Sequence, residues 1–155
     1  MPRRRALIDR RPVTPADGAV IARHRLPDPA DAPDRPAYAA WVAGAIARGT
    51  YLGFVTQVGG EIIAGAGLTL LDWGPSRGDP QPLRARVVNV WTHPDWRRQG
   101  HARALVQACL AAGQARGVTR FALGTTLQGR ALYEALGFAA SGTEMTAHLP
   151  APPAR

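Results

Sequence analysis

Residues 87–102 read Val87-Val88-Asn89-Val90-Trp91-Thr92-His93-Pro94-Asp95-Trp96-Arg97-Arg98-Gln99-Gly100-His101-Ala102. An apolar, β-branched run stops at a proline, an arginine-rich turn follows, and a helix opens after a glycine. Most helices carry Asp or Glu in the first turn to offset the positive end of the macrodipole. Here Arg97, Arg98, Gln99, Gly100 and His101 leave that end positive. A positive helix start with a glycine that lets the backbone approach is an anion site suited to phosphate. The plain alternative is an ordinary strand–turn–helix with exposed arginines.

The strand feeding this turn spans 84–92, and the rest of the chain can be read outward from it. Downstream, Leu105, Val106, Cys109 and Leu110 form an apolar helical stripe that ends at Gly117. A short strand over 120–125, a helix over 127–136 stopped by Gly137, and a last strand over 143–149 are predicted next. Upstream, 72–83 is a loop rich in Pro and Gly. Residues 50–58 and 61–71 are strands joined by Gly59-Gly60, a two-residue hairpin signal. Tyr38, Trp41, Val42, Ala45 and Ile46 repeat at helical spacing and Gly49 closes that helix. Four prolines make 27–36 a loop. A first strand over 7–13 leads to Thr14-Pro15-Ala16-Asp17, which reads as N-cap, proline at the first helical position and an acid at N3, with the helix running to about Arg25.

The order β-α-α-β-β-β-α-β-α-β places two antiparallel hairpin strands before one βαβ crossover. It predicts an α/β (α+β) fold, with a mixed, mostly antiparallel sheet and helices on both faces. One domain over 1–149 and a flexible tail over 150–155 are expected, since 155 residues suffice for one substantial core. The hydrophobic content of 46% is that of a globular protein. No window approaches a membrane span and the N-terminus has no apolar leader segment. The single cysteine excludes an intramolecular disulfide and suits the cytoplasm. The net charge of +8 raises the question of nucleic acid. All nineteen basic residues are arginine, however, and they are scattered apart from 3–5 and 10–11. That distribution is what a GC-rich coding bias produces, so nucleic acid is not the expected partner, although the charge still speeds the approach of any anion.

The turn at Arg97–Ala102 resembles the acyl-CoA pyrophosphate loop of the GNAT superfamily of N-acetyltransferases, Gln/Arg-x-x-Gly-x-Gly/Ala, through Arg97, Gly100 and Ala102. The segment 126–138 resembles the same family's Asn-x-x-Ala-x-x-Leu/Phe-Tyr-x-x-x-Gly-Phe through Leu132, Tyr133, Gly137 and Phe138. Thr126 replaces the Asn and Gly129 the Ala. The resemblance implies the GNAT-like acyl-CoA N-acyltransferase fold, with acetyl-CoA as cosubstrate. CoA would lie along Val90, Trp91 and Thr92, on the loop formed by Arg97, Arg98, Gln99, Gly100, His101 and Ala102, and at Thr126. Tyr133 falls where the family keeps the general acid that protonates the departing thiolate. The reaction implied is direct attack of an amine on the thioester in a ternary complex.

The acceptor side is thinner. Asn89, off the Val88/Val90/Thr92 face, is expected to point into the acceptor pocket, and Glu144 and Glu61 are the candidate carboxylates for the base. The acceptor is a small-molecule or peptide amine, and a homodimer stays open as the assembly. A non-catalytic acyl-CoA-binding or nucleic-acid-binding module on the same fold is the alternative. Gly74-Pro75-Ser76-Arg77-Gly78 fits the nucleophile-elbow pattern Gly-x-Ser-x-Gly, but the elbow needs a helix after the Ser. Pro80 and Pro82 disfavour one. His24, His93, His101 and His148 show no metal-ligand spacing, so no metal is expected. Cys109 lies on an apolar stripe and is expected in the core.

Overall fold

The computed structural model describes residues 7–154. The arginine cluster at 3–5 lies outside them. The described chain falls into two compact units that divide between Gly124 and Thr125.

The first unit is built on a five-stranded sheet in the order β1-β2-β3-β4-β5. The strands are β1 (Ile8–Pro12), β2 (Tyr51–Val58), β3 (Glu61–Asp72), β4 (Leu83–Thr92) and β5 (Phe121–Ala122). The helices are α1 (Gly18–Arg25), α2 (Arg35–Arg48) and α3 (His101–Ala115). The first three pairings are antiparallel and β4–β5 is parallel, which makes α3 the crossover of a βαβ unit. The mixed sheet and its helices follow the order of elements in the sequence. Gly59 and Gly60 both have positive φ, 57° and 83°, as the tight β2–β3 turn requires.

Helices cover both faces. On one, α1 and α2 bury Ile21, Val42 and Ala45 against Tyr51, with Val88 packed alongside. On the other, α3 buries Leu105, Val106, Cys109 and Gly113. A Cβ at Gly113 would stand 2.7 Å from Phe121 and 3.1 Å from Leu68, so only glycine allows α3 this close to the sheet. The start of the first helix is pinned by Asp17. Its carboxylate accepts from the Thr14 N–H at 2.7 Å and from both ends of the Arg11 fork at 2.8 and 2.9 Å. That arginine, with the Thr14 backbone, holds the Asp17 carboxyl below its usual range.

The second unit holds one helix, α4 (Arg130–Ala135), shorter than the stretch over 127–136 that periodicity suggests. The strand expected over 143–149 does not form, and that segment is exposed and irregular. A strand exists only through its ladder, and residues 143–149 pair with no strand of the described residues. Two local expectations also shift. The strand over 120–125 contracts to β5, and the proline loop over 27–36 holds a 3-10 turn at Pro29–Asp34, capped by Asp28 accepting from the Ala30 N–H at 2.9 Å. No helix among the described residues is long and apolar enough to cross a membrane.

Candidate active site

The pairing of β3 with β4 slips by one residue between Gly65 and Gly67. Gly67 faces Val88 and Gly65 faces Trp91, so Asn89 and Val90 together oppose Ala66. This is a β-bulge, which bends the strand and leaves main-chain groups out of the ladder. Asn89 has φ 58°, a left-handed conformation that Asn tolerates better than most side chains. The extra residue inverts the alternation beyond it. Val88 packs with the α1/α2 cluster, and Trp91 lies on the same face, stacked on His24 of α1 at 4.3 Å with a 12° interplanar angle. The face expected to hold Val88, Val90 and Thr92 together is therefore broken at the bulge.

The Asn89 side chain is fully engaged. Its Nδ2 donates to the Tyr38 and Tyr51 hydroxyls at 2.8 and 3.0 Å, and its Oδ1 accepts from Arg25 Nη1 at 3.3 Å. Since a guanidinium only donates, this network also fixes which way the amide points. Tyr51 is 2% exposed and reaches Asn89 across Gly67, whose missing Cβ leaves the space its phenol fills. Burial pushes the Tyr51 phenol upward, so it stays protonated. Burial also lowers His24, with help from Arg23, to about 4.

Beside this network lies a cavity of about 410 Å³. Asn89, Val88 and Arg86 of β4 and Thr69 and Leu71 of β3 form its floor, while Arg25 of α1 and Tyr38 and Trp41 of α2 form its wall. Arg25 sits 4.6 Å over the Tyr38 ring. Among the described residues no Asp or Glu lines the cavity. Glu61 begins β3 at the hairpin end, opposite Val58. It is eight residues from Thr69, roughly 27 Å along a strand, and so stands away from this cavity. Arg25, Tyr38, Tyr51 and Arg86, which sequence reasoning missed, come from four separate elements. An asparagine inside a β-branched run was the available signal, because Asn favours the left-handed region.

At the other end of β4 the chain enters the arginine turn. Arg98 and Gly100 have φ 61° and 80°, and α3 starts at His101 with no acid in its first turn. Among the described residues no group accepts from the backbone N–H of Arg97, Arg98, Gln99 or Gly100. A left-handed residue on either side of Gln99 and a helix start with open donors give the kind of turn that suits an anion. Arg97 Nε reaches back to the Thr92 carbonyl at 3.4 Å. The His101 ring is buried, edge-on to Trp96 at 6.0 Å, and neither of its nitrogens has a partner. Val90, Trp91, Thr92 and this loop thus follow one another along a single strand–turn–helix of the first unit.

Other candidates resolve simply. Ser76 and Asp79 exchange backbone bonds of 2.9 and 3.0 Å in a tight turn. The Ser76 hydroxyl accepts from Arg84 at 2.7 Å and no helix follows, so Ser76 is no elbow nucleophile. Cys109 is buried and its thiol is pushed up to about 12. The described residues contain no cluster of His, Cys, Asp and Glu able to hold a metal.

The acetyltransferase (GNAT) family model matches residues 19–138. The chain belongs to the GNAT acetyltransferase family. A GCN5-related N-acetyltransferase from Ralstonia eutropha JMP134 has the same fold, with a TM-score of 0.83 and 28% identity, over 92% of this chain and 99% of that one. A predicted acetyltransferase with acetyl-CoA from Clostridium acetobutylicum superposes with a TM-score of 0.84 at 16% identity, over 92% and 96% of the two chains. An aminoglycoside N-acetyltransferase in complex with CoA gives 0.71 at 18% identity, over 97% and 99%. No curated protein matches the sequence.

In the second unit of this GNAT protein, Tyr133 lies on α4, half-buried and edge-on to Phe138 at 6.0 Å. Burial raises its phenol above 10, so it holds its proton at neutral pH. Thr126 Oγ1 accepts from the Gly129 N–H at 3.2 Å, which leaves its own proton to donate. A Cβ at Gly129 would stand 2.6 Å from the Thr125 hydroxyl, so the glycine at this family position goes with Thr125. Glu144 is exposed in the irregular segment after α4.

Proposed function

We propose that the protein transfers the acetyl group of acetyl-CoA to a small-molecule or peptide amine by direct attack in a ternary complex. The observation that carries this is the succession, on one strand–turn–helix, of the β4 bulge and the turn at Arg97–Ala102 with its open N–H donors. The CoA phosphates occupy that turn, and the pantetheine arm runs along Val90, Trp91 and Thr92, bonding to main-chain groups of β4. The Val90 N–H lies in the bulge, where it serves the oxyanion that develops on the thioester oxygen. Thr126 adds a contact through its hydroxyl, which accepts from Gly129 and keeps its own proton to donate. Tyr133, protonated at neutral pH, gives its proton to the departing thiolate. Family membership and fold neighbours that hold acetyl-CoA or CoA support the donor. The family match crosses the boundary at Gly124 and Thr125, which supports a single acetyltransferase domain over 1–149 with a tail over 150–155.

The amine must lose its proton before it attacks. An alkylamine with a pKa near 10.4 is almost wholly charged at pH 7, a handicap of roughly 4.6 kcal/mol. Among the described residues no carboxylate lines the cavity to take that proton, so it leaves to water. The cavity's positive charge and apolar walls also favour the neutral amine. Glu144 is the alternative base.

Free-thiol release from acetyl-CoA against a panel of amines, amino acids, peptides and antibiotics tests this proposal. At least one amine should raise release well above hydrolysis. Tyr133→Phe should lower that turnover about a hundredfold while melting and CoA affinity stay unchanged. A protein that binds CoA yet accelerates with no amine is a binding module, and a fully active Phe variant removes Tyr133 from the chemistry.

A further inference from the structure

We infer that the acceptor carries an oxyanion, a carboxylate or a phosphate, in the same small molecule as its amine, and that Arg25 and Arg86 receive it. This inference rests on the acetyltransferase function proposed above and specifies its substrate. Of this unit's described arginines only Arg11, 2.8 Å from Asp17, and Arg120, 3.6 Å from Asp79, have acidic partners. What distinguishes Arg25 and Arg86 is that both line one cavity. Arg25 spends one nitrogen on the Asn89 amide and stacks on Tyr38. Arg86 has no acceptor among the described residues, and its Nη2 lies 3.2 Å from where a Cβ at Gly124 would stand, so it borders the open space. Two permanent charges with no counter-charge in a cavity of about 410 Å³ attract an anion and repel a polycation.

The remaining lining says what else the acceptor carries. Trp41 and Leu71 stay 45% and 37% exposed at the cavity. Large apolar side chains left open beside fixed charges suit a molecule with an apolar body and one anionic end. An apolar α-amino acid has that form. The charge also assists the reaction. One oxyanion neutralises one arginine, and the second positive charge still opposes the ammonium form of the amine. The ammonium proton passes to water and the neutral nitrogen attacks the carbonyl carbon. The C–N bond forms with the carbonyl electrons moving to the thioester oxyanion, and the nitrogen sheds its second proton to water. The C–S bond breaks as the carbonyl re-forms, and the thiolate takes the Tyr133 proton, which Tyr133 regains from water.

The test compares phenylalanine with phenylalaninamide, and phosphoethanolamine with ethanolamine, by thiol release at saturating acetyl-CoA. Each pair removes only the oxyanion. The amide's amine is the less basic and so the more neutral at pH 7, which on nucleophile supply alone favours the amide. In at least one pair the anionic member should lead by tenfold or more in kcat/KM, and the leading pair identifies carboxylate or phosphate. Arg86→Gln should erase most of that lead through KM, by about tenfold to a hundredfold for a charge-assisted bond. Arg86→Glu should turn the preference toward the uncharged member, a gain that misfolding cannot imitate. A wild-type preference for the uncharged members or for an aminoglycoside overturns the inference, as does a lead that survives Arg86→Gln. If no amine is turned over, calorimetry on the CoA-saturated protein separates the two ideas. Selective binding of the anionic member, lost in Arg86→Gln, upholds the site while the transferase proposal falls, and equal or absent binding of both overturns the site as well.

Discussion

Replacing Asn89 separates the backbone and side-chain contributions at the bulge. Asn89→Gly and Asn89→Ala both remove the amide that binds Tyr38, Tyr51 and Arg25. The Tyr51 hydroxyl, on a residue 2% exposed, is then buried without its partner, at a cost of about 1–3 kcal/mol. The bond to Tyr38 adds roughly 1 kcal/mol and the long, exposed one from Arg25 little. Both variants should therefore lose about 2–4 kcal/mol. They differ in the backbone, because at φ 58° alanine carries about 1–2 kcal/mol of left-handed strain that glycine avoids. Glycine's greater freedom in the unfolded chain returns about 0.4–1 kcal/mol of that. The Gly variant should thus be the more stable by roughly 0.5–1 kcal/mol, the reverse of the order these residues show in an ordinary strand. Urea unfolding with equal m-values measures the difference. Adding Tyr51→Phe to Asn89→Gly should recover part of the loss, since the orphaned hydroxyl is gone. An Ala variant at least as stable as the Gly variant, or no recovery in the double variant, would refute this account of the bulge.

Three further predictions concern the loop, the buried histidine and the thiol. Gly100→Ala should cost about 1 kcal/mol of stability through its φ of 80° alone, since a Cβ there meets nothing, and should leave CoA affinity largely intact. Gly100→Glu should weaken CoA by several kcal/mol as measured by calorimetry, and equal affinities in the two variants would remove the loop from the CoA site. His24 is held neutral, with its pKa lowered from 6.5 to about 4, so the unfolded chain binds the extra proton between those values. Stability should fall by up to about 3 kcal/mol as pH drops through that window, and His24→Phe should flatten the slope in pH-dependent unfolding. Cys109→Ala should cost about 1–2 kcal/mol of core packing and keep its turnover, and double-reciprocal plots should intersect. Parallel lines, or an acetylated Cys109 peptide trapped without acceptor, would show a covalent route instead.

What the sequence revealed were features encoded within a few residues of each other. Gly59-Gly60 marked the hairpin because a two-residue turn needs positive φ, and Tyr38 to Ile46 marked α2 because helical spacing is local. The run from Arg97 to Ala102 marked the turn with positive φ at Arg98 and Gly100 before α3 for the same reason. The bulge was missed because alternation extends a strand pattern straight through Asn89, while the slip is set by how β3 pairs. Arg25, Tyr38 and Arg86 converge only after α1, α2 and β4 have packed, so no spacing announces them. Glu61 was a candidate because carboxylates are few, and the hairpin register carries it to the far end of β3. The strand expected over 143–149 needs a partner that its own residues do not supply, and the sheet takes no strand from it.

The trio of Gly67, Tyr51 and Asn89 also bears on how this protein can diversify. The Tyr51 phenol fills the space a side chain at position 67 would need, and its hydroxyl holds Asn89. Any one of the three is fixed by the other two, so single substitutions there cross a valley in fitness. Arg86, Trp41 and Leu71 stand at the cavity with no such mutual dependence. New acceptor preferences should arise at those rim positions, and descendants of this chain should differ there long before the bulge changes.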